Sequence, residues 1–415
     1  MKSALVRPAY FDSEWLDFEL LRAMGYSVYG AAAPGECYWA AGKIRERGQS
    51  LVAWHYGWLE LGNRVEESAA ALESAGDRTA ASEAYFRAWN YLRSAEFYMM
   101  PQGSAEMRGV YFRGLKCFDK ALTLSSFSAA AVDIPYDGTT LPGHFFRAPA
   151  SRGERRPLIV FNGGGDGSGE ELFFLCGGPQ ALDRGFHVLT FHGPGHRGAL
   201  HRNAKLVFRY DWEHVLGPVL DWAGARDEVD PRRMAVYGVS LGGYFAPRAA
   251  SFDERIKAVV ANALLPDYHQ HWIATVGDQL PELLREWTEH RLTTMSSAGW
   301  DRLAALFSLK GGPFTFVVDL MRWTNGVRGM GELMEKIRDA SVDPSRVRCP
   351  LLSVQGEGEG AAALQAVKRW LDRLEGAKKH ILLPAGLGAD AHCGMGNLRH
   401  VNALVMDWLA RTLVA

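Results

Sequence analysis

Cysteine is scarce in this sequence, and the few cysteines lack the paired spacing of a metal site. The chain has 5 cysteines among 415 residues, an odd number without any C-x-x-C pair. They are Cys37, Cys117, Cys176, Cys349 and Cys393. This usage excludes a disulfide-rich secreted fold and favours reduced thiols. We therefore predict a cytoplasmic protein without a bound metal or cofactor.

Net charge and long apolar runs are also missing. Lysine and arginine number 46 against 47 aspartates and glutamates, so the formal net charge is −1. Such a balance gives no excess of positive charge that would attract nucleic acid or an anionic membrane surface. No apolar stretch approaches the roughly 20 residues that a membrane-spanning helix needs. The expected partner is a small-molecule substrate, and the sequence leaves a homodimer open.

The most informative feature that is present is a serine between glycines. Ser240 lies within the heptapeptide YGVSLGG, residues 237–243, after the apolar stretch 234–236 and before a helical pattern. This order predicts a strand, a sharp turn and a helix, with the serine hydroxyl at the apex where a substrate carbonyl can reach it. Glycines beside the serine suit a turn in which a Cβ atom would clash. Ser240 is the predicted nucleophile.

A base and an acid follow in the chain order Ser, acid, His that is typical of an α/β-hydrolase. His392 comes after the predicted strand 380–383 and before a helix that begins near residue 397. The acid must orient the imidazole. Two glutamates on the glycine-rich segment after strand 350–354 are candidates, Glu359 and Glu357. The acid of such enzymes usually follows the loop glycine by three residues, which favours Glu359 and leaves Glu357 as the alternative.

A glycine-rich segment after another apolar strand predicts an oxyanion hole. Residues 157–167 read PLIVFNGGGDG. Backbone N–H groups of Gly164 and Gly165, together with that of Leu241 after the nucleophile, are the predicted donors. The segment contains neither G-x-x-x-x-G-K-[ST] nor a G-x-G-x-x-G that opens a helix, which disfavours a nucleotide site.

Three segments together resemble one subgroup of the α/β-hydrolase superfamily. Residues 162–171 (NGGGDGSGEE) are similar to its G-G-x-D-x-x-x-E-E signature, residues 191–195 (FHGPG) to its F-D-G-P-G segment, and residues 388–393 (GADAHC) to its terminal G-A-x-A-H-C segment. The subgroup includes 2,6-dihydroxypseudooxynicotine hydrolase, fermentation–respiration switch esterases and hydrolases encoded beside polyketide pathways. The resemblance implies Ser240 as nucleophile, Glu359 as acid and His392 as base.

The chain divides into four predicted parts of an α/β-hydrolase fold with a mostly parallel sheet and helices on both faces. Residues 1–126 read as an N-terminal helical region, and residues 127–265 as the first part of the hydrolase core. About ninety residues separate the strands at 256–262 and 351–354, too many for a simple crossover. Residues 266–345 are therefore predicted to be a helical cap, with helical patterns around 280–287, 303–307 and 314–323. Residues 346–415 complete the core.

The predicted cap and N-terminal helices carry most of the 13 tryptophans. A pocket bounded by aromatic helices suits a hydrophobic or aromatic small molecule. Asp267 near the start of the cap, Trp323 within it and His196 after the Gly-Pro-Gly turn are the predicted substrate-binding residues. His269 and His271 are further candidates for an acid or base, and without a third ligand at a sensible spacing they do not predict a metal site.

Three functions remain open at this point. The leading hypothesis is a serine hydrolase of a small ester, thioester or activated C–C bond. A non-hydrolytic enzyme of secondary metabolism with the same groups, of cyclase, dehydratase or retro-aldol type, is the alternative. A binding module without activity is disfavoured because binding alone does not require nucleophile, base, acid and glycine loop together.

Overall fold

The computed structural model describes residues 9–149, 154–277, 290–309 and 311–413. The predicted helix at 280–287, with Trp287, lies outside these residues. The chain begins with helices, continues with alternating strands and helices, and ends in a long helix.

The helical pattern predicted before residue 126 is found. The helices are α1 Glu14–Gly25, α2 Pro34–Glu46, α3 Leu51–Ser74, α4 Arg78–Phe97 and α5 Ala105–Leu124. Helices α3, α4 and α5 are capped at their N-termini by Ser50, Asp77 and Ser104, respectively. Each of these side chains accepts a hydrogen bond from the backbone N–H three residues later. A short 3-10 turn, Tyr26–Tyr29, follows α1.

Eight strands form one mostly parallel sheet, as predicted. They are β1 Ser128–Tyr136, β2 Thr139–Arg147, β3 Arg156–Asn162, β4 His187–Phe191, β5 Val229–Val239, β6 Ile256–Asn262, β7 Leu351–Gly356 and β8 Lys378–Leu383. Their order in the sheet is β1-β2-β4-β3-β5-β6-β7-β8, and β2 is antiparallel to both of its neighbours. The β1–β2 hairpin turns at Asp137 and Gly138, which both have positive φ (42° and 73°), as the D-G pair predicts.

Helices connect and flank the strands. They are α6 Gly169–Leu175, α7 Gly178–Asp183, α8 Arg197–Arg202, α9 Glu213–Gly224, α10 Gly242–Ala250, α11 Tyr268–Gly277, α12 Ser297–Ser308, α13 Pro313–Asn325, α14 Met330–Lys336, α15 Ala361–Arg373 and α16 Leu398–Leu413. Helices α11 to α14 lie between β6 and β7, where the sequence predicts the cap. In the described ranges, no helix is long and apolar enough to cross a membrane.

The N-terminal helices share a core with the sheet and its helices. Phe174 of α6 lies at their junction, with its ring centroid 5.5 Å from that of Trp89 and 5.3 Å from that of Phe86, both on α4. The ring of Tyr26 lies 6.2 Å away from the same phenylalanine. Burial of these aromatic side chains attaches the helical region to the sheet region through the hydrophobic effect.

Candidate active site

The predicted serine lies at a sharp turn between β5 and α10. Ser240 has φ 58°, a left-handed conformation that is uncommon outside glycine. The surrounding glycines permit this turn. A Cβ atom on Gly238 would lie 1.9 Å from the carbonyl oxygen of Gly242, and one on Gly243 would lie 1.8 Å from that of Ala263. The glycines therefore allow the backbones to approach and present the serine above the sheet.

The structure brings His392 and Glu359 into line with Ser240. Nε2 of His392 lies 2.9 Å from the Ser240 hydroxyl oxygen. Nδ1 of the same imidazole lies 2.8 and 3.0 Å from the two carboxylate oxygens of Glu359. Glu357, the alternative acid, instead accepts a hydrogen bond from the backbone N–H of Ala385 at 2.8 Å. Of the two glutamates, Glu359 is the one in contact with the imidazole.

Electrostatics agree with this arrangement. Burial opposes the charged imidazolium, but interactions with the adjacent Cys393 and with Glu359 outweigh burial and raise the pKa of His392 well above 6.5. Burial would raise the pKa of Glu359, but His392 holds it below 4.5. The thiol of Cys393 donates to the carbonyl oxygen of Asn262 at 3.4 Å. The imidazole is thus paired with a carboxylate on one side and with a serine hydroxyl on the other.

The glycine loop after β3 lies beside the serine. A Cβ atom on Gly164 would lie 2.6 Å from Cβ and 3.1 Å from Oγ of Ser240, so only glycine allows this approach. Gly164, Gly165 and Leu241 all line the cavity that contains the serine. Within the described part of the chain, their backbone N–H groups donate no hydrogen bond to another protein group. These donors remain available to an oxygen atom of a bound molecule.

The cavity above Ser240 is mostly apolar and has a volume of about 460 Å³. The cap helices α11 to α13 contribute a largely aromatic wall, which includes Trp272, Trp300, Leu303, Phe314, Phe316 and Met321. His271 of α11 also lines the cavity, and burial together with the nearby His392 lowers its pKa. Among the described residues, no group of three His, Cys, Asp or Glu side chains could hold a metal ion.

Three residues that the sequence assigned to substrate binding do not line this cavity. Asp267 instead accepts a hydrogen bond from the backbone N–H of Gln270 at 2.9 Å, at the start of α11. Trp323 packs with its ring centroid 5.1 Å from that of His201. His196 is buried behind the glycine loop, and its Nδ1 accepts from the N–H of Gly193 at 2.9 Å. We therefore no longer assign these residues to substrate binding.

His196 is uncharged for a physical reason. Burial, followed by the nearby His192, lowers the pKa of His196 to about 3. A neutral imidazole in this position packs against Trp212 and Phe208. Its contacts are those of a core residue that supports the loop.

The first helix contributes to the cavity wall through residues that the sequence did not single out. Trp15, Phe18, Glu19 and Arg22 of α1 line the same cavity as Ser240. Their spacing of i, i+3, i+4 and i+7 places them on one helix face, and this pattern could have been read from the sequence. Trp54 and Trp58 of α3 do not line the cavity and are buried among the N-terminal helices.

Comparison with known proteins agrees with the fold. The family profile described as alpha/beta hydrolase fold matches residues 156–304. The chain is 32% identical over 407 residues to "Alpha/beta hydrolase gkaG" of Penicillium citrinum, with 89% of each chain covered. It is 30% identical over 433 residues to "20-hydroxy-prefusarin hydrolase" of Gibberella moniliformis, with 97% of each covered. This chain therefore belongs to the α/β-hydrolase family and is an enzyme.

Two further proteins are similar to this chain over different shares of their length. "Alpha/beta hydrolase psoB" of Aspergillus fumigatus is 41% identical over 266 residues, which is 60% of this chain and 58% of that protein. The solved structure of 2,6-dihydroxy-pseudo-oxynicotine hydrolase is similar with a TM-score of 0.69 at 19% identity, over 94% of this chain and 95% of that one. The structural likeness confirms the predicted fold class.

Proposed function

We propose that this enzyme is a serine hydrolase that cleaves a small hydrophobic or aromatic ester, thioester or activated C–C bond. The observation that carries this proposal is the continuous hydrogen-bonded line from Ser240 through His392 to Glu359. Nucleophile, base and orienting acid at these distances are the arrangement that activates a serine hydroxyl.

The proposed reaction proceeds in two halves for an ester or thioester. Oγ of Ser240 forms a bond to the substrate carbonyl carbon while its proton moves to Nε2 of His392. The leaving group departs with its electron pair and takes that proton, which leaves an acyl-enzyme. Water then attacks the acyl carbon, gives a proton to the same nitrogen, and the serine oxygen leaves as the hydroxyl. Glu359 stabilises the imidazolium in both halves without accepting its proton.

The glycine loop is proposed to stabilise the charge that develops on the carbonyl oxygen. The N–H groups of Gly164, Gly165 and Leu241 lie beside the serine and have no acceptor among the described residues. Such preorganised donors contribute about 3–4 kcal/mol each to transition-state stabilisation. Stabilisation of the oxyanion by these N–H groups does not depend on the base. It therefore accounts for residual catalysis when one member of the serine–histidine–acid set is removed.

The substrate class follows from the cavity. Aromatic and aliphatic side chains of the cap form most of its wall, and its volume of about 460 Å³ suits a small molecule. Apolar walls around the serine also limit the access of bulk water. The name of the Gibberella relative, 20-hydroxy-prefusarin hydrolase, supports the further proposal that the substrate belongs to secondary metabolism.

Labelling with a fluorophosphonate probe tests the proposal directly, because the probe reacts with an activated serine. We expect stoichiometric labelling of the wild type and turnover of short-chain p-nitrophenyl esters. Ser240→Ala should abolish labelling and lower turnover by about 10⁴-fold or more. Ser251→Ala, at the end of α10 and outside the cavity wall, is the matched control and should behave as the wild type.

Each outcome of this experiment bears on the proposal. Labelling of Ser240 without turnover of any ester would favour the non-hydrolytic alternative, a cyclase, dehydratase or retro-aldol enzyme with the same groups. An unchanged rate in Ser240→Ala would overturn the assignment of the nucleophile.

Three predictions about organisation stay proposals. We retain the division into residues 1–126, 127–265, 266–345 and 346–415, which the positions of the helices and strands support. A cytoplasmic location is supported by the five cysteines, all of which are free thiols. A homodimer remains to be tested by measuring the mass of the protein in solution.

A further inference from the structure

Glu19 brings a carboxyl group from the N-terminal helix to the wall of the catalytic cavity. It lies on the face of α1 that lines the cavity, between Phe18 and Arg22. Its side chain is 7% exposed, and its one described hydrogen bond joins Oε1 to Nη1 of Arg22 at 3.3 Å. Its second oxygen, Oε2, has no hydrogen-bond partner among the described residues. The cavity thus contains a carboxyl group that the proposed reaction does not use.

The guanidinium group of Arg22 is already paired with another carboxylate, that of Glu171. Nε and Nη2 of Arg22 donate to the two oxygens of Glu171 at 2.6 and 2.7 Å. Nη1 is shared between Glu19 and Asp166, at 3.3 Å from each. Tyr26 donates a further hydrogen bond to Glu171. The cation therefore interacts most closely with Glu171, and Glu19 receives only a long bond.

The charges around Glu19 come from several segments. The charged and titratable groups that face it are Arg22 of α1, Arg93 of α4, Tyr98 after α4, Asp166 of the glycine loop and Glu171 of α6. Two arginines thus face the carboxylates of Glu171 and Asp166, and these four charges already balance. An ionised Glu19 would add an uncompensated negative charge to a buried cluster, which is costly.

The balance of these effects raises the pKa of Glu19 into the neutral range, so its carboxyl group is mostly protonated below that range. The pKa of Glu19 is raised from 4.5 to about 7, and burial is the largest cause. Arg22 and Arg93 oppose this shift, whereas the negative charges of Asp166 and Glu171 add to it. Glu171 is the opposite case, since the two arginines outweigh its burial and hold its pKa well below 4.5. The two carboxyl groups therefore have different protonation states.

We propose that Glu19 acts as a neutral carboxylic acid that donates a hydrogen bond from Oε2 to a carbonyl oxygen of the substrate, remote from the bond that Ser240 attacks. This proposal rests on the proposed function of the same cavity. It makes Glu19 a substrate-binding residue that selects apolar molecules with a second carbonyl group, such as a ketone or a lactam, over purely hydrocarbon chains.

The chemistry of the site favours a neutral acceptor over an anion. A protonated carboxyl group has one O–H donor, and its other oxygen is occupied by Arg22. The guanidinium is engaged by Glu171, Glu19 and Asp166, so a substrate carboxylate would compete with groups that are already paired. A carbonyl oxygen in an otherwise apolar cavity gains a partner without adding charge, which avoids the penalty of an unpaired polar group.

Infrared difference spectroscopy tests the protonation state without any substrate. The wild-type spectrum minus that of Glu19→Gln should contain the C=O stretch of a protonated carboxyl at pH 6, and this band should disappear with a midpoint near pH 7. Asp166→Asn should move the midpoint to lower pH, because it removes a negative charge that disfavours ionisation. Glu14→Gln on the exposed face of α1 is the matched control and should leave the band unchanged. Absence of the band at pH 6 would overturn the proposal.

A series of p-nitrophenyl esters tests the role in binding. Each acyl chain carries a ketone at one position and is compared with the chain that has a methylene group there. For at least one ketone position we expect the wild type to prefer the ketone by about 5- to 30-fold in kcat/KM, mainly through KM. This preference should fall as the pH rises through 7, and Glu19→Leu should abolish it. A change in the protonation of His392 with pH affects both esters equally, so it cancels in the ratio of their kcat/KM values.

The two experiments separate this proposal from the proposed function. Labelling of Ser240 with equal kcat/KM for every ketone and methylene pair would overturn the role of Glu19 and leave the hydrolase intact. Failure of wild-type labelling and turnover would overturn the hydrolase, whereas the infrared band would still report the protonation of Glu19. A near-UV circular dichroism spectrum of Glu19→Gln that matches that of the wild type would show that the variant is folded.

Discussion

Replacing Arg22 by methionine should destabilise the protein because it leaves Glu171 buried without its main partner. The side chains of Arg22 and Glu171 are 5% and 1% exposed, and two charge-assisted hydrogen bonds of 2.6 and 2.7 Å join them. Removal of one partner from such a pair costs about 3–5 kcal/mol, since the remaining charge is not solvated. Methionine preserves most of the apolar volume, so the loss reports the charge.

The expected effect on the melting temperature follows from the length of the chain. For 415 residues, an unfolding entropy of about 2.1 cal/mol/K per residue corresponds to about 0.9 kcal/mol/K. A loss of about 3–5 kcal/mol should therefore lower Tm by about 3–6 °C. Thermal unfolding followed by near-UV circular dichroism measures this shift. Arg411→Met is the surface control, because its pair with Asp407 is largely exposed and contributes only about 0.3–0.5 kcal/mol.

A double variant and a pH series identify the cause. Arg22→Met combined with Glu171→Gln should recover most of the loss, since the glutamine oxygen can accept from the Ser168 backbone N–H while its NH2 group donates to the hydroxyl oxygen of Tyr26. The folded-state pKa of Glu171 is depressed, so its contribution is present above the unfolded value of 4.5 and is lost as the pH falls further. The difference between the wild type and Arg22→Met should accordingly shrink below pH 4.5. A loss of Tm below 1 °C at pH 7, or no recovery in the double variant, would refute this reasoning.

Two further predictions concern the catalytic groups. Glu359→Gln should lower kcat by about 10³- to 10⁴-fold with little change in Tm, whereas Glu357→Gln should have only a small effect on kcat. Ester hydrolysis at pH 8 measures kcat for both variants. If Glu357→Gln had the larger effect, the acid would be reassigned to Glu357. Gly164→Ala should slow fluorophosphonate labelling by at least about 100-fold, because its Cβ would lie 2.6 Å from Cβ of Ser240. Gly109→Ala on α5, where nothing lies within 4 Å of the added carbon, is the control, and labelling of both variants at the wild-type rate would contradict the prediction.

Local patterns in the sequence were sufficient for the fold and for the serine turn. Strand periodicity, the D-G hairpin turn and the alternation of strands and helices depend on short-range preferences, and the structure contains these elements close to their predicted positions. The glycines around Ser240 are explained by contacts within one turn and its two neighbouring strands. The wide separation of β6 and β7 along the chain likewise predicted the cap, because no plain crossover needs so many residues.

The finer composition of the site depended on tertiary structure. Glu357 and Glu359 are two residues apart in one short 3-10 turn, Glu357–Glu359, and the path of that turn directs only the second carboxylate to the imidazole. Asp267 and Trp323 lie between β6 and β7, but the sequence could not show that their side chains contact other protein groups and do not face the cavity. Side-chain direction within a helix or loop depends on what packs against it.

The contact between α1 and distant residues of the cavity is the clearest case of what only the fold decided. Arg22 and Glu171 are 149 residues apart, and no local preference indicates that they meet. The sequence by itself shows an amphipathic helix with charged residues on an apolar face and a strand–turn–helix with a serine at its apex, the predicted nucleophile. Burial of the N-terminal helices against the sheet brings these two elements to one cavity, and the same burial, by removing water from Glu19, raises the pKa of its carboxyl group.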